Sequence, residues 1–261
     1  MKSTAEIKLT GDEYAGFYSC GLTMLGSSTM RHFTERRDSE DRFEAVSEDG
    51  LRLFASTKKS TLSDAYIVRT SVENESSRAV TLEMITSFLL PGIRADRIHR
   101  ILSFWSAEGR VKTDDLVLLN MEHSWNNMAY RVEKFGNVGS MPVRKYFPFI
   151  ALEDSRSGVF TAVQLYSPAS WQIEMVVRDG DTVTLAGGIA DRDFGAWTKK
   201  LLPGERFDAP QAVFAQGGTL EEVCDKLVRA QQPAISPAER YPFQDGPTGA
   251  VRDLRSTGDM S

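Results

Sequence analysis

Paired carboxylates are the residues here with the widest chemical reach, because two carboxyl groups about 5–9 Å apart can divide acid, base or nucleophile work in a hydrolysis. Adjacent acids occur at Asp12-Glu13, Glu40-Asp41, Asp114-Asp115 and Glu153-Asp154. Each pair lies in a polar, turn-like context, and neighbours on a strand point to opposite faces, so each reads as a solvated turn rather than a catalytic couple. The histidines His32, His99 and His123 are scattered and match no zinc-ligand spacing. They read as surface or packed imidazoles. Cys20 and Cys224 form no disulfide framework or zinc knuckle and read as reduced thiols, at least one of them packed in the core. There is no nucleophile elbow and no phosphate-cradling loop. No catalytic residue, metal or cofactor is therefore expected. Asn74-Glu75-Ser76 fits a glycosylation sequon but reads as a turn.

Binding chemistry is better represented. Ser103 to Arg110, SFWSAEGR, places Trp105, Glu108 and Arg110 within a few residues, and Trp125 follows in MEHSWNN. An indole can stack on the apolar face of a sugar ring while carboxylate and guanidinium groups fork onto its hydroxyls. The same residues also suit a Trp buried between sheets beside an internal Glu-Arg pair. Both readings stay open on the residues alone.

These side chains must be positioned by strands. RFEAVS (Arg42 to Ser47) and LRLFAST (Leu51 to Thr57) flank Asp49-Gly50, and WQIEMVVR (Trp171 to Arg178) and TVTLAG (Thr182 to Gly187) flank Asp179-Gly180. Asp-Gly accepts the positive φ of tight turns, so both pairs read as antiparallel hairpins. Tyr66 to Val72, Val80 to Phe88, Ala129 to Phe135, Phe147 to Leu152 and Val159 to Tyr166 continue the pattern. About a dozen strands predict an all-β protein of stacked antiparallel sheets. One short amphipathic helix is expected near the C-terminus: Thr219 and Glu222 have capping-box spacing, and Leu220, Val223, Leu227 and Val228 form a stripe ending near Gln231. Beyond Pro233 the chain loses apolar periodicity. The expected organisation is a β-domain over residues 1–232 and a polar, disordered or truncated tail over 233–261.

The chain has 261 residues, 41% of them hydrophobic and 26% charged, enough for a full core. A formal charge of -5 argues against nucleic acid or an anionic membrane as partner and suits a neutral ligand. Met1 to Thr10 holds no apolar signal core, and the greasy run near Met84 to Pro91 is too short to span a bilayer, so the expected location is cytoplasmic.

Five blocks in order, HRILSFWSAEGR, KFGNVGSMPV, YFPFIALED, GVFTAVQLYSPASWQIEM and LAGGIADRDFGAWTKKLLPGERFDAPQAVFA, resemble the N-terminal domain of family 36 glycoside hydrolases, the melibiase-type α-galactosidases. The resemblance covers roughly residues 60 to 232. It implies a large antiparallel β-supersandwich, galactose-mutarotase-like in kind, with Trp197, Pro203, Gly204, Glu205 and Phe207 marking a strand, a turn and a strand. In that family the chemistry belongs to a following (β/α)₈ barrel, which carries an Asp nucleophile and an Asp acid/base. A barrel needs about 200 residues or more. The sequence from Glu239 to Gln244 onward does not resemble its first strand, so the catalytic barrel is expected to be missing. The resemblance implies a non-catalytic domain that packs on a barrel, helps oligomerisation and lends the rim of a sugar site Trp105, Glu108, Arg110 and Trp125. Its candidate partners are a galactoside, a (β/α)₈ catalytic domain and a second copy. The alternative is a stand-alone carbohydrate-binding or oligomerisation module. Weaker still is mutarotase-like chemistry, which needs a histidine such as His99 to face a carboxylate such as Glu108 in a cleft.

Overall fold

The computed structural model describes residues 1–12, 23–39, 41–121, 130–177 and 182–231. Within them the chain forms two antiparallel sheets, with strands numbered along the chain. The smaller sheet runs β1 (Ile7–Leu9), β6 (Val80–Ile93), β13 (Val183–Ile189), β12 (Trp171–Val177), β9 (Arg131–Asn137), with β14 (Lys199–Leu201) also on β6. The larger runs β2 (Phe33–Ser39), β3 (Arg42–Ser47), β4 (Leu51–Lys59), β5 (Tyr66–Asn74), β16 (Ala212–Gly217), β11 (Val159–Leu165), β10 (Phe149–Asp154), β7 (Arg97–Ile101), β8 (Val111–Asp115), with β15 (Arg206–Asp208) on β5. Two helices join them, α1 (Arg192–Gly195) and α2 (Leu220–Gln231).

Both expected hairpins form. β3 pairs with β4 across Asp49-Gly50, where Gly50 adopts φ +91° and an added Cβ would lie 3.1 Å from the Ser76 amide nitrogen. β12 pairs with β13, although their Asp179-Gly180 turn lies outside the described residues. Strands beyond the expected dozen are mainly polar or three residues long. β8, VKTDD, lies on the sheet edge and is almost wholly exposed, so it carries no alternating signal. Consequently Asp114-Asp115 belongs to a strand, not a turn, and so does Glu153-Asp154. Asn74 is fully buried; its amide donates to the Arg78 and Leu201 carbonyls and its oxygen accepts from Ser76, so the sequon is consumed by turn packing.

The inner faces meet in two buried clusters, one where Ile7, Leu82 and Ile85 face Phe43, Leu53 and Val72, and a larger one built on β12. Trp171, Ile173, Met175 and Val177 of β12, with Phe88 and Leu90 of β6, pack against Ile98, Ile150, Leu152, Val163 and Phe214 of the larger sheet. On the far side of the larger sheet, Val223 and Leu227 of α2 press on Ala162, Ala215 and Val213, with Leu220 and Cys224 at the margin. Small alanines let the helix approach closely. Cys224 therefore takes the stripe position expected of Val228, which is 54% exposed; 100° per residue carries position 228 past the edge of the buried face. Burying two aliphatic side chains contributes roughly 3–6 kcal/mol. The exposed Glu222–Lys226 pair at 2.6 Å is screened by solvent and adds little, so packing holds the helix. The expected cap is present: Thr219 Oγ1 accepts from the Glu222 amide at 3.1 Å, and Glu222 reaches back to the Gly218 amide at 2.7 Å.

The smaller sheet is also covered on its outer face. Every residue of β12 is buried, including Gln172 and Glu174. Gln172 exchanges hydrogen bonds with Asp191, the N-cap of α1. Glu174 Oε1 accepts from the Thr23 hydroxyl at 2.6 Å and the Met24 amide at 2.7 Å. Its Oε2 lies 3.4 Å from Lys134 Nζ, an ion pair without hydrogen-bond alignment. Alongside, Leu25 packs on Leu89, Val176 and Ala186.

Burial raises the Glu174 carboxyl above its ordinary value, against the opposing pull of Lys134, Thr23 and Met24. An unfolded Glu releases its proton near pH ~4.3, whereas folded Glu174 holds it to higher pH. The folded state binds more protons in that window, so stability falls as pH rises from about 4.3 to the folded value. We predict that Glu174→Gln removes this slope from urea midpoints measured across pH; an unchanged slope contradicts the assignment. Glu174→Ala strands the Thr23, Met24 and Lys134 donors and is expected to cost about 2–4 kcal/mol.

Candidate functional site

The β7–β8 connection holds three of the four residues singled out for binding. Ser103 donates its amide to the Lys145 carbonyl at 2.9 Å, and Leu102 bridges to Tyr146, which ties the loop to the segment after β9. The Ala107 amide donates to Phe104 at 2.8 Å, Gly109 to Leu102 at 2.9 Å and Arg110 to Ala107 at 3.0 Å. Ser106 and Gly109 take the left-handed conformations, φ 65° and 75°, that such tight turns require. The result is a backbone-locked turn with its apolar tip in solvent: Phe104 is 61% and Trp105 85% exposed.

This corrects the reading of Trp105 as a residue buried between sheets. Glu108 and Arg110 are exposed too, and among the described residues neither side chain has an ion-pair or hydrogen-bond partner, so no internal Glu-Arg pair exists. Among the described residues the buried tryptophan is Trp171, with its indole N–H on the Pro142 carbonyl and Phe135 edge-on at 5.8 Å. Trp125 and His123 lie outside the described residues, as do Cys20 and the segment 233–261. The neighbouring 138–145 loop adds exposed Val138 and Met141.

Arg100 anchors the base of this loop and escaped the sequence reading. It sits 3% exposed at the open edge of the sandwich, donating to Asp114 of β8 at 2.5 Å and to Glu133 of β9 at 2.8 Å. One guanidinium therefore ties both sheets. It also lies over the Phe135 and Tyr146 rings at 5.5 and 5.6 Å, and Tyr146 is the residue that bridges to Leu102. Burial opposes ionisation of Asp114, but its hydrogen bonds from Arg100 and Lys112 outweigh this and hold the carboxyl below its usual range.

His99 meets Glu153, not Glu108. Its Nε2 lies 2.9 Å from Glu153 Oε2 and its Nδ1 2.8 Å from Thr113 Oγ1, with Phe160 against the ring. Both nitrogens are committed within the sheet face, and Glu153 is also 3.6 Å from Arg97. Packing across adjacent strands explains this pair. Trp197 packs on Phe207 at 5.5 Å but lies just before β14 rather than in a strand, while Pro203 and Gly204 turn between β14 and β15, as the resemblance implies. Among the described residues no group of three or more His, Cys, Asp or Glu could hold a metal ion, and no helix is long and apolar enough to cross a membrane.

No family model and no curated protein matches the sequence. Solved structures do. The α-galactosidase AgaB of Geobacillus stearothermophilus superposes with TM-score 0.57 at 16% identity, over 85% of this chain and 28% of that one. This is the fold of a domain found in family 36 α-galactosidases. An α-galactosidase of Lactobacillus brevis aligns with TM-score 0.55 at 15% identity over 82% of this chain and 27% of its own, and an AgaA variant of G. stearothermophilus, in complex with stachyose, with TM-score 0.57 at 16% identity over 87% and 29%. The chain thus spans less than a third of the length of these enzymes.

Two substitutions separate presentation from support. Trp105→Ala is expected to change unfolding free energy by no more than about 0.5 kcal/mol in urea titrations, as for an exposed side chain. Arg100→Leu removes a buried cation from two partly shielded carboxylates and is expected to cost about 2–4 kcal/mol. That deficit shrinks as pH falls below ~4, because Asp114, depressed when folded, contributes only above its unfolded pKa and loses the contribution on protonation. A pH-independent deficit would exclude the ion pairs as its source.

Proposed function

We propose that this chain is the non-catalytic β-sandwich domain, residues 1–232, of an α-galactosidase-like glycoside hydrolase, the parent reaction being hydrolysis of terminal α-galactosides. In this reading it packs against a (β/α)₈ catalytic domain or a second copy, and the Phe104–Arg110 turn borders the sugar site. The observation that carries it is Trp105, 85% exposed on a hydrogen-bonded turn of a sandwich with the α-galactosidase domain's fold. A tryptophan that buries almost nothing of its own fold and is already ordered suits a contact made with something else. Glu108 and Arg110, both without partners among the described residues, supply the acceptor and donors that hydroxyls or a facing polar rim would need.

The second reading, a carbohydrate-binding module, is favoured by the same indole, since a free ring face beside unpaired charged groups can hold a galactoside directly. The expectation from the first reading is that the purified chain releases no nitrophenol from 4-nitrophenyl α-galactoside; release that survives repurification would place a catalytic pair within this chain and overturn it. Calorimetric titration with melibiose separates the two readings. Flat heats remove the module, whereas saturable heats abolished by Trp105→Ala establish it.

A further inference from the structure

α2 covers only part of the larger sheet's outer face. Over β3, β4 and β5 that face is open and forms a groove of about 670 Å³, within the ~300–1,000 Å³ of small-molecule sites. Its lining includes five cations, Arg42, Arg52, Lys58, Arg69 and Arg206, against two carboxylates, Glu44 and Asp208, in a chain of net charge -5.

The two ends of the groove differ. At one end the charges are satisfied: Arg52 pairs with Glu44 and Glu75, both at 2.8 Å, and lies over the Phe54 ring at 5.0 Å, while Arg206 pairs with Glu73 and Asp208 at 2.8 Å. At the other end they are not. Sheet register sets Arg42 opposite Ser56 and Ser56 opposite Arg69, in one row across three strands, with Lys58 two residues further along β4. Among the described residues none of Arg42, Lys58 or Arg69 has a carboxylate within 4 Å; Arg69 donates only to Gln211 at 3.2 Å, which fixes its orientation. Like charges held across a strand repel unless an anion sits between them. On the groove floor Ser71 is 4% exposed, yet among the described residues its hydroxyl has no hydrogen-bond partner.

We propose that this groove binds a phosphorylated sugar. The phosphate sits among Arg42, Lys58 and Arg69 with the Ser56 hydroxyl, matching the forked donors that arginine offers to phosphate oxygens. The sugar lies toward Ser71, Glu44 and Asp208, whose remaining lone pairs accept from its hydroxyls while Arg52 and Arg206 donate. The groove and its phosphate site use neither the Trp105 turn nor a second domain; the choice of galactose as the sugar rests on the α-galactosidase-like reading.

Calorimetric titration of the purified chain with galactose 6-phosphate, galactose and inorganic phosphate tests it. Galactose 6-phosphate is expected to bind saturably and about tenfold or more tighter than phosphate, galactose to give flat heats, and affinity to fall with added salt. Arg42→Gln and Arg69→Gln, both exposed, are each expected to weaken binding about tenfold without shifting the urea midpoint. Phosphate binding as tightly as the sugar phosphate would reduce the groove to an ion site and overturn the sugar assignment. Absence of binding, or full affinity in both variants, would overturn the site itself.

Discussion

The central strands of the smaller sheet have no solvent face, and much of the molecule follows from that. With β12 buried along its whole length, Gln172 and Glu174 cannot reach water. A buried carboxylate without donors costs several kcal/mol, comparable with the whole margin of a folded domain. The covering segments are therefore tied down by those very groups: residues 23–25 through Glu174, and α1 through Asp191 and Gln172. Close approach of α1 is possible because Gly136 lies beneath it: an added Cβ there would stand 2.9 Å from the Phe194 ring.

The larger sheet solves the same problem differently. α2 shields β11 and β16 over a floor of alanines, while the β3–β5 region meets solvent with long charged side chains. At the open edge, where neither sheet continues, Arg100 binds a carboxylate from each. Being planar, always charged and weakly hydrated, a guanidinium can be buried on aromatic rings while serving both acids. Its position next to Ile101 and Leu102 makes the sandwich edge and the base of the Trp105 turn one mechanical unit.

Local signals in the sequence carried the hairpins, the helix cap and the stacked-sheet class, because Asp-Gly turns, alternation and capping boxes act over a few residues. What they could not carry is contact between distant segments. WQIEMVV reads as a strand with a wet face at Gln172 and Glu174, and only Thr23 and Asp191, some 150 residues before and about 20 after, make that face dry. Arg100 was invisible for the same reason: its acids stand 14 and 33 residues away on two different sheets. Trp105 shows the limit of composition, since Trp in a sandwich is usually buried, and here Trp171 meets that expectation while Trp105 does not. The charge row Arg42, Ser56, Arg69 requires strand register, which no single-strand pattern contains.

The sandwich presents a preformed apolar turn, so that ordering cost is met by folding rather than by binding. Amide hydrogen exchange of the isolated chain, resolved by residue, tests this most directly. The Ala107, Gly109 and Arg110 amides, each donating to a carbonyl within the turn, are predicted to exchange far more slowly than unstructured peptide despite the exposure around them. Exchange at the unstructured rate, with β12 and β13 still protected, would mean that the turn is not held in place, and would contradict the claim.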